Sequence, residues 1–198
     1  MTYEEYRGCE NLVYAKITED STNNLTYGEV KELAGLGEVS KTTNTSSDTH
    51  FYDNNPAIVI MATADDDLTL STSAIADETI ADLTGLVYDK TTGMLIEGER
   101  EETYVAIGYI TEKTNGEKVY VWRYKCMCEV PDVNSKTKDG STDAQGQSLK
   151  IKSIATTHKF AKNKNRGAKG ISVSGNKADV STFFKQVTLP DAVTAKAA

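Results

Sequence analysis

Few residues of this chain are of types that do chemistry, and their spacing decides which chemistry is open to them. There are two histidines, His50 in SSDTHFY and His158 in TTHKFAK. Neither stands beside a nucleophile with an orienting acid, so a surface or core-edge histidine is the simpler expectation. The three cysteines, Cys9, Cys126 and Cys128, are an odd number, which excludes a fully paired disulfide framework. Cys126-x-Cys128 with Cys9 and His158 would suit zinc by ligand type. The spacing is CxC rather than CxxC, however, and no second pair exists, so reduced core thiols are expected. Asp65-Asp66-Asp67 offers carboxylates of the kind that hold calcium. Adjacent side chains alternate in direction on a strand, which favours a charged turn instead. No GxxxxGKS/T or GxGxxG run announces a phosphate cradle. The sequence therefore assigns no catalytic residue, cofactor or metal, and the protein is expected not to be an enzyme.

The elements that would carry these residues read mainly as strands. TYVAIGYITEKTNGEKVYVWRYKCMCEV, residues 103–130, reads as two strands around Asn115-Gly116, a hairpin signal. On the second strand, Tyr120, Trp122, Tyr124, Cys126 and Cys128 fall on one face, with Arg123 and Lys125 on the other. One buried, aromatic sheet face follows, with Tyr120, Trp122 and Tyr124 as its core anchors. Residues 11–17 and 36–43 read as further strands, and 57–62 and 67–72 as a strand pair turning at Asp65–Asp67. Residues 146–160 read as a long strand that slips phase near Ser153. Residues 39–56 are rich in Ser, Thr, Asn and Asp and read as a long loop anchored by Phe51 and Tyr52. Residues 131–146 read as a flexible polar loop. One helix is expected over 76–85, capped by Asp77 or Ser73 and ended by Gly85. A second, short helix is predicted over 180–187 behind Asp179.

Composition supports one domain over 1–198, with an N-terminal arm over about 1–10 and a C-terminal arm over about 188–198. A chain of this length buries a core without disulfides. The hydrophobic share of 38% and mean hydropathy of −0.45 suit a β-rich chain with long polar loops. No apolar run approaches the ~20 residues that cross a bilayer. The start, MTYEEYRGCENL, does not read as a signal peptide.

Charge is divided along the chain. Residues 1–100 carry net −13 and residues 101–198 net +6. Residues 144–178 hold eight Lys/Arg and no acid. An acidic chain of pI near 5.0 is a poor duplex binder. The asymmetry instead suggests that the basic surface of one copy meets acid on another. The candidates are Lys162, Lys164 and Arg166 in the 159–169 loop, facing Asp65, Asp66 and Asp67.

Four segments taken in order, GCENLVYAKITED, YGEVKELAGLGEVS, ADETIADLTGLVYDKTTG and YVAIGYITEKTNGEKVYVWRYKCMCEVP, carry a resemblance, and TFFKQVTLP near the C-terminus fits it. The chain resembles the major tail (tail tube) proteins of long-tailed phages infecting Gram-positive bacteria, the group called phi13-like. The appended immunoglobulin-like domain that some of them carry is not expected here. The resemblance implies a β-sandwich or barrel-like tail tube fold with one flanking α-helix, a long inter-strand loop and extended terminal arms. It implies a structural virion protein whose hexameric rings stack into a tube around the tape measure protein. The tail terminator and distal tail proteins would be further partners. DNA would pass the lumen without sequence-specific binding. The chain would be made in the host cytoplasm and reside in the phage tail. Within that picture Thr49, His50, Phe51 and Tyr52 are candidates for reaching a neighbouring ring. Two other classes stay open: a secreted or surface β-sandwich adhesin or carbohydrate-binding module, and a small hydrolase on a β scaffold. The missing signal peptide argues against the first, and the absent triad against the second.

Overall fold

A computed structural model describes residues 3–137 and 145–196. Strand makes up 53% of the chain against 7% helix, which makes it mainly β as the sequence predicts. Twelve strands are described: β1 (Tyr6–Asp20), β2 (Leu25–Tyr27), β3 (Lys31–Glu32), β4 (Leu36–Tyr52), β5 (Asn55–Thr72), β6 (Val87–Asp89), β7 (Met94–Ile96), β8 (Val105–Lys113), β9 (Lys118–Cys128), β10 (Asp132–Val133), β11 (Gln147–Ile154) and β12 (Gly170–Ser174). One large antiparallel sheet runs β2-β1-β8-β9-β11-β5-β4, with β3 on β1, β10 on β11 and β12 on β9. A separate hairpin, β6-β7, completes the strands.

The β8-β9 hairpin forms where expected, but its loop has three residues. The N–H of Gly116 donates to the Lys113 carbonyl at 2.9 Å, and that of Lys113 to Glu117 at 2.9 Å. Only Gly116, at φ 82°, enters the left-handed region. A turn closed by a left-handed glycine needs no second positive-φ residue.

The expected single aromatic face is corrected by a bulge. Val105 pairs with Cys126 and Ile107 with Arg123, so two residue steps on β8 face three on β9. The extra residue reverses the alternation. Tyr120, Trp122 and Tyr124 face one side, while Cys126 and Cys128 join Val119 and Val121 on the other. Val119 and Val121 lie opposite Tyr120 and Trp122, so both faces of β9 are buried.

One face packs Leu68, Leu70, Val105, Ile107, Leu149 and Ile151 against helix α1 (Asp77–Thr84) through Ile80 and Leu83. Neither Asp77 nor Ser73 caps that helix: Ala76 is the N-cap, and the Ser73 hydroxyl accepts the Gly35 N–H at 2.9 Å. Gly85 does end it, at φ 75°, and a Cβ there would lie 2.0 Å from the Glu101 carbonyl oxygen. The helix is tied to β1 through Asp82, which accepts from Lys16 at 2.7 Å, Lys31 at 2.9 Å and the Tyr14 hydroxyl at 2.9 Å. Burial pushes the Asp82 pKa up, but these three donors outweigh it and hold it at about 2.

The other face is covered by the chain's own C-terminal segment. Phe183, Val187 and Ala178 pack on Trp122 and Tyr124, both fully buried, with Tyr120 half-buried beside them. Trp122 Nε1 donates to the Phe183 carbonyl at 3.0 Å, and the Tyr124 hydroxyl to Thr188 at 2.9 Å. Of the predicted C-terminal arm, Leu189 and Val193 pack half-buried against this face, while most of residues 191–196 are exposed. The helix predicted over 180–187 resolves into separate turns, with Phe183 N bonded to Val180 and Lys185 N to Thr182. The Phe183 carbonyl is taken by Trp122 and the Thr188 hydroxyl, which withdraws an acceptor a helix would need.

Other expectations shift in extent. The 11–17 strand is part of β1, whose residues from Tyr6 already pair with β8, so little of an N-terminal arm is left. The 146–160 strand ends at Ile154, beyond which Phe160 bridges to Arg166. Residues 138–144 of the predicted 131–146 loop, and residues 1–2 and 197–198 of the predicted arms, lie outside the described residues.

Two outcomes follow for stability. Trp122→Ala removes a fully buried ring and its hydrogen bond, and should cost ~3–5 kcal/mol in chemical denaturation; a loss under 1 kcal/mol would show that the C-terminal cover is not part of the folding unit. Asp82 is held near pKa 2 against an ordinary 3.8. Its contribution is therefore present above pH 4 and lost as pH falls through 2, by about 2 kcal/mol. Denaturation curves from pH 5 to 2 should flatten in Asp82→Asn; an unchanged slope would refute the tie.

Candidate functional site

The most unusual surface is the segment read from sequence as a loop over 39–56. It is not a loop. Strands β4 and β5 pair from Leu36↔Thr72 out to Tyr52↔Asn55. Asp53 and Asn54, at φ 50° and 63°, make the two-residue turn that suits a twisted hairpin. The 57–62 and 67–72 segments are one continuous strand, so Asp65–Asp67 lie within it and form no turn. Polar Thr and Ser mislead here, because threonine is also a good strand residue. The apolar partner strand fixes the outcome.

Beyond about residue 45 this hairpin leaves the body. Strand β11 pairs with β5 only from Asp66 to Thr72, so among the described residues neither edge of the outer hairpin is paired. Its large side chains are bare: Phe51 is 64% exposed, Tyr52 59%, Val59 61% and Met61 72%. Ile58 and Ile60 are exposed as well. Residues 58–61 alternate in direction, so Ile58 and Ile60 point to one face and Val59 and Met61 to the other. The hairpin is an apolar arm on both faces. Thr49, His50, Phe51 and Tyr52 do sit together near its tip, with His50 Nε2 3.3 Å from the Asp48 carboxylate. An isolated two-stranded ribbon is marginal in water. Apolar surface of this kind marks an interaction site.

The root of the arm is clamped. Asp66 is buried and ion-paired to Lys169 at 2.8 Å, Lys41 at 3.5 Å and Arg123 at 3.6 Å. Burial pushes its pKa up, and hydrogen bonds from Lys169 and Thr43 with the nearby lysine charges bring it below the usual carboxylate range. Asp65 and Asp67 lie on the opposite face and share Lys152, at 2.9 and 2.8 Å. Asn44 also donates to both, which ties β4 to β5.

These contacts alter the expected charge pairing. The three aspartates are engaged within their own chain, and Lys169 of the basic loop is one of their partners. The acidic patch expected to face a second copy is thereby already neutralised. The rest of the basic loop stays on the surface. Lys162 sends its ammonium to the Val193 carbonyl at 2.6 Å, and Lys164 and Arg166 are exposed.

The residues that could do chemistry are not brought together. Cys126 and Cys128 are fully buried, and burial drives the Cys126 thiol up to about 12. Such thiols are unreactive. Cys9 lies apart and contacts the Gly37 carbonyl. The His158 ring stands edge-on to Phe160 at 4.9 Å, and its backbone N–H donates to Asp20. Among the described residues, no group of three His, Cys, Asp or Glu side chains is placed to hold a metal. None of their helices is long and apolar enough to cross a membrane.

No protein-family model matches the chain, and no curated protein matches it.

The arm contributes no fully buried side chain to the body. Replacing residues 46–62 by an Asn-Gly turn should therefore leave a folded protein, with a melting temperature within a few degrees of the parent. Loss of the cooperative transition would show that the arm is needed for folding.

Proposed function

We propose that this protein is a structural subunit that assembles with copies of itself, as the tail tube protein of a long-tailed phage. One observation carries the reading: a hairpin arm with apolar side chains on both faces and two unpaired edges, rigidly rooted in a folded body. A single flat partner covers one face of such an arm. Covering both requires two surfaces, and repeated copies of one subunit supply them. Each large aliphatic side chain that becomes fully buried contributes about 1.5–3 kcal/mol. Free strand edges add backbone pairing to that gain.

The resemblance in the four sequence segments gives the assembly its form. Six copies close a ring by heterologous contacts, rings stack, and the tube encloses the tape measure protein and later conducts DNA. Tail terminator and distal tail proteins would bound the tube, and the subunit would belong to the virion. An acidic chain suits a channel that must not hold DNA tightly. The arm takes the inter-ring role expected of Thr49–Tyr52, extended to Ile58–Met61 on its second strand.

Electron microscopy and sedimentation of the purified chain test this, alone and with tail partners. Rings and tubes are expected for the intact chain, and folded monomers for the protein with residues 46–62 replaced. A chain that stays monomeric with its tail partners present would overturn the proposal, and tubes of normal length without the arm would overturn the arm's part in it.

A further inference from the structure

A cleft beside the basic loop has more positive charge than its own acids balance. Its volume is about 400 Å³, and its lining includes Arg123, Lys162, Asn163, Lys169, Ile171 and Pro190. Arg123 and Lys169 share one carboxylate, Asp66, with Lys41. Lys162 gives its ammonium to a neutral carbonyl, and the nearby Asp191 carboxylate accepts the backbone N–H groups of Ala161 and Lys162. Three lining cations, Arg123, Lys162 and Lys169, thus stand against two carboxylates, one of which is shared with Lys41. A second observation is independent of that imbalance. The Arg123 side chain is only 15% exposed, and its Nε is buried with no hydrogen-bond partner among the described residues. Buried donors are ordinarily paired, and a guanidinium is shaped to receive an oxyanion.

We propose that this cleft receives an oxyanion borne on a side chain, the Asp53 carboxylate at the arm tip of a second copy of this chain. The proposal rests on the self-assembly reading and names the surface that the arm would meet. The cleft is larger than a bare ion would fill, and Ile171, Ala168 and Pro190 give it an apolar wall. An occupant that pairs a carboxylate with apolar groups matches it. The arm tip has that composition: Asp53 sits in the turn next to Phe51 and Tyr52, all three exposed. The other acid of the outer arm, Asp48, already faces His50. Charge is complementary as well, since residues 42–89 contain no Lys or Arg and residues 144–178 contain no acid.

Inorganic phosphate is the probe for the cleft. Full-length protein is titrated by calorimetry at constant ionic strength, with chloride as the reference. Saturable binding is expected, weakened about tenfold or more in Lys162→Gln and unchanged in Lys164→Gln, whose side chain does not line the cleft. No binding beyond chloride overturns the site, and so does equal weakening by both variants, which would mean diffuse surface attraction. Asp53→Asn tests the occupant, because asparagine tolerates the left-handed backbone of the turn. Assembly followed by sedimentation should slow several-fold in this variant, and phosphate should slow wild-type assembly more than chloride does. Wild-type rates in Asp53→Asn overturn the second-copy occupant. A wild-type chain that never assembles sinks the tube reading and the occupant together, while calorimetry still decides the cleft.

Discussion

Burial of strand β9 on both faces organises the rest of the chain. A strand carrying Val119 and Val121 on one side and Trp122 and Tyr124 on the other cannot stand at a solvated sheet surface, so each face needs a cover. Helix α1 and the β6-β7 hairpin supply one, through Ile80, Leu83, Tyr88 and Leu95. The C-terminal segment supplies the other and also answers the polar atoms that the aromatics bring inside, the indole N–H and the phenolic O–H. The bulge near Tyr124 serves the same constraint. It turns Cys126 and Cys128 toward the helix side, where small apolar side chains fit. β9 also divides its second edge between β12 and β11, so the sheet forks there.

That fork places the arm. Strand β11 carries β5, and the fork brings Arg123 and Lys169 to the point where β5 emerges with Asp66. A buried carboxylate among cations adds little net stability, but removing a partner leaves an uncompensated charge. Its effect is geometric. Lys41 belongs to β4, Asp66 to β5, and Arg123 and Lys169 to the body, so one carboxylate locks both strands of the arm to the sheet. The root of the arm is therefore fixed to the sheet.

The fold class, the β8-β9 hairpin, the helix with its Gly85 stop and the burial of Trp122 and Tyr124 were all legible, because each rests on local pattern: alternation, a turn glycine, a 3.6-residue stripe. The placing of Cys126 and Cys128 on the opposite face was not, since it depends on a bulge created by pairing with β8, although Val119 and Val121 within β9 already signal that this face is apolar. The arm was misread for a related reason. Its polar strand has no pattern of its own and is held by AIVIMA some ten residues away. A clue was nonetheless present, in Asp53-Asn54 standing between a threonine-rich run and an apolar one. The pairing of Asp66 with Lys169, across more than a hundred residues, is purely tertiary. The attraction expected between these two regions was between copies, whereas the Asp66–Lys169 pair lies within one chain.

An exposed apolar ribbon invites uncontrolled pairing, and the sequence of the arm restrains it. Ser and Thr make up seven of the seventeen residues of β4, Pro56 interrupts donation at the start of β5, and Asp48 and Asp53 give every arm the same sign of charge. Two arms meeting edge to edge would bring those carboxylates together without a lysine or arginine between residues 42 and 89 to relieve them. A body surface rich in lysine has no such conflict. The same side chains thus disfavour arm-on-arm association and favour arm-on-body association. In the proposed assembly that asymmetry would let the subunit grow in one ordered direction, because each added copy would offer a cationic surface to the next arm and an acidic arm to the next surface.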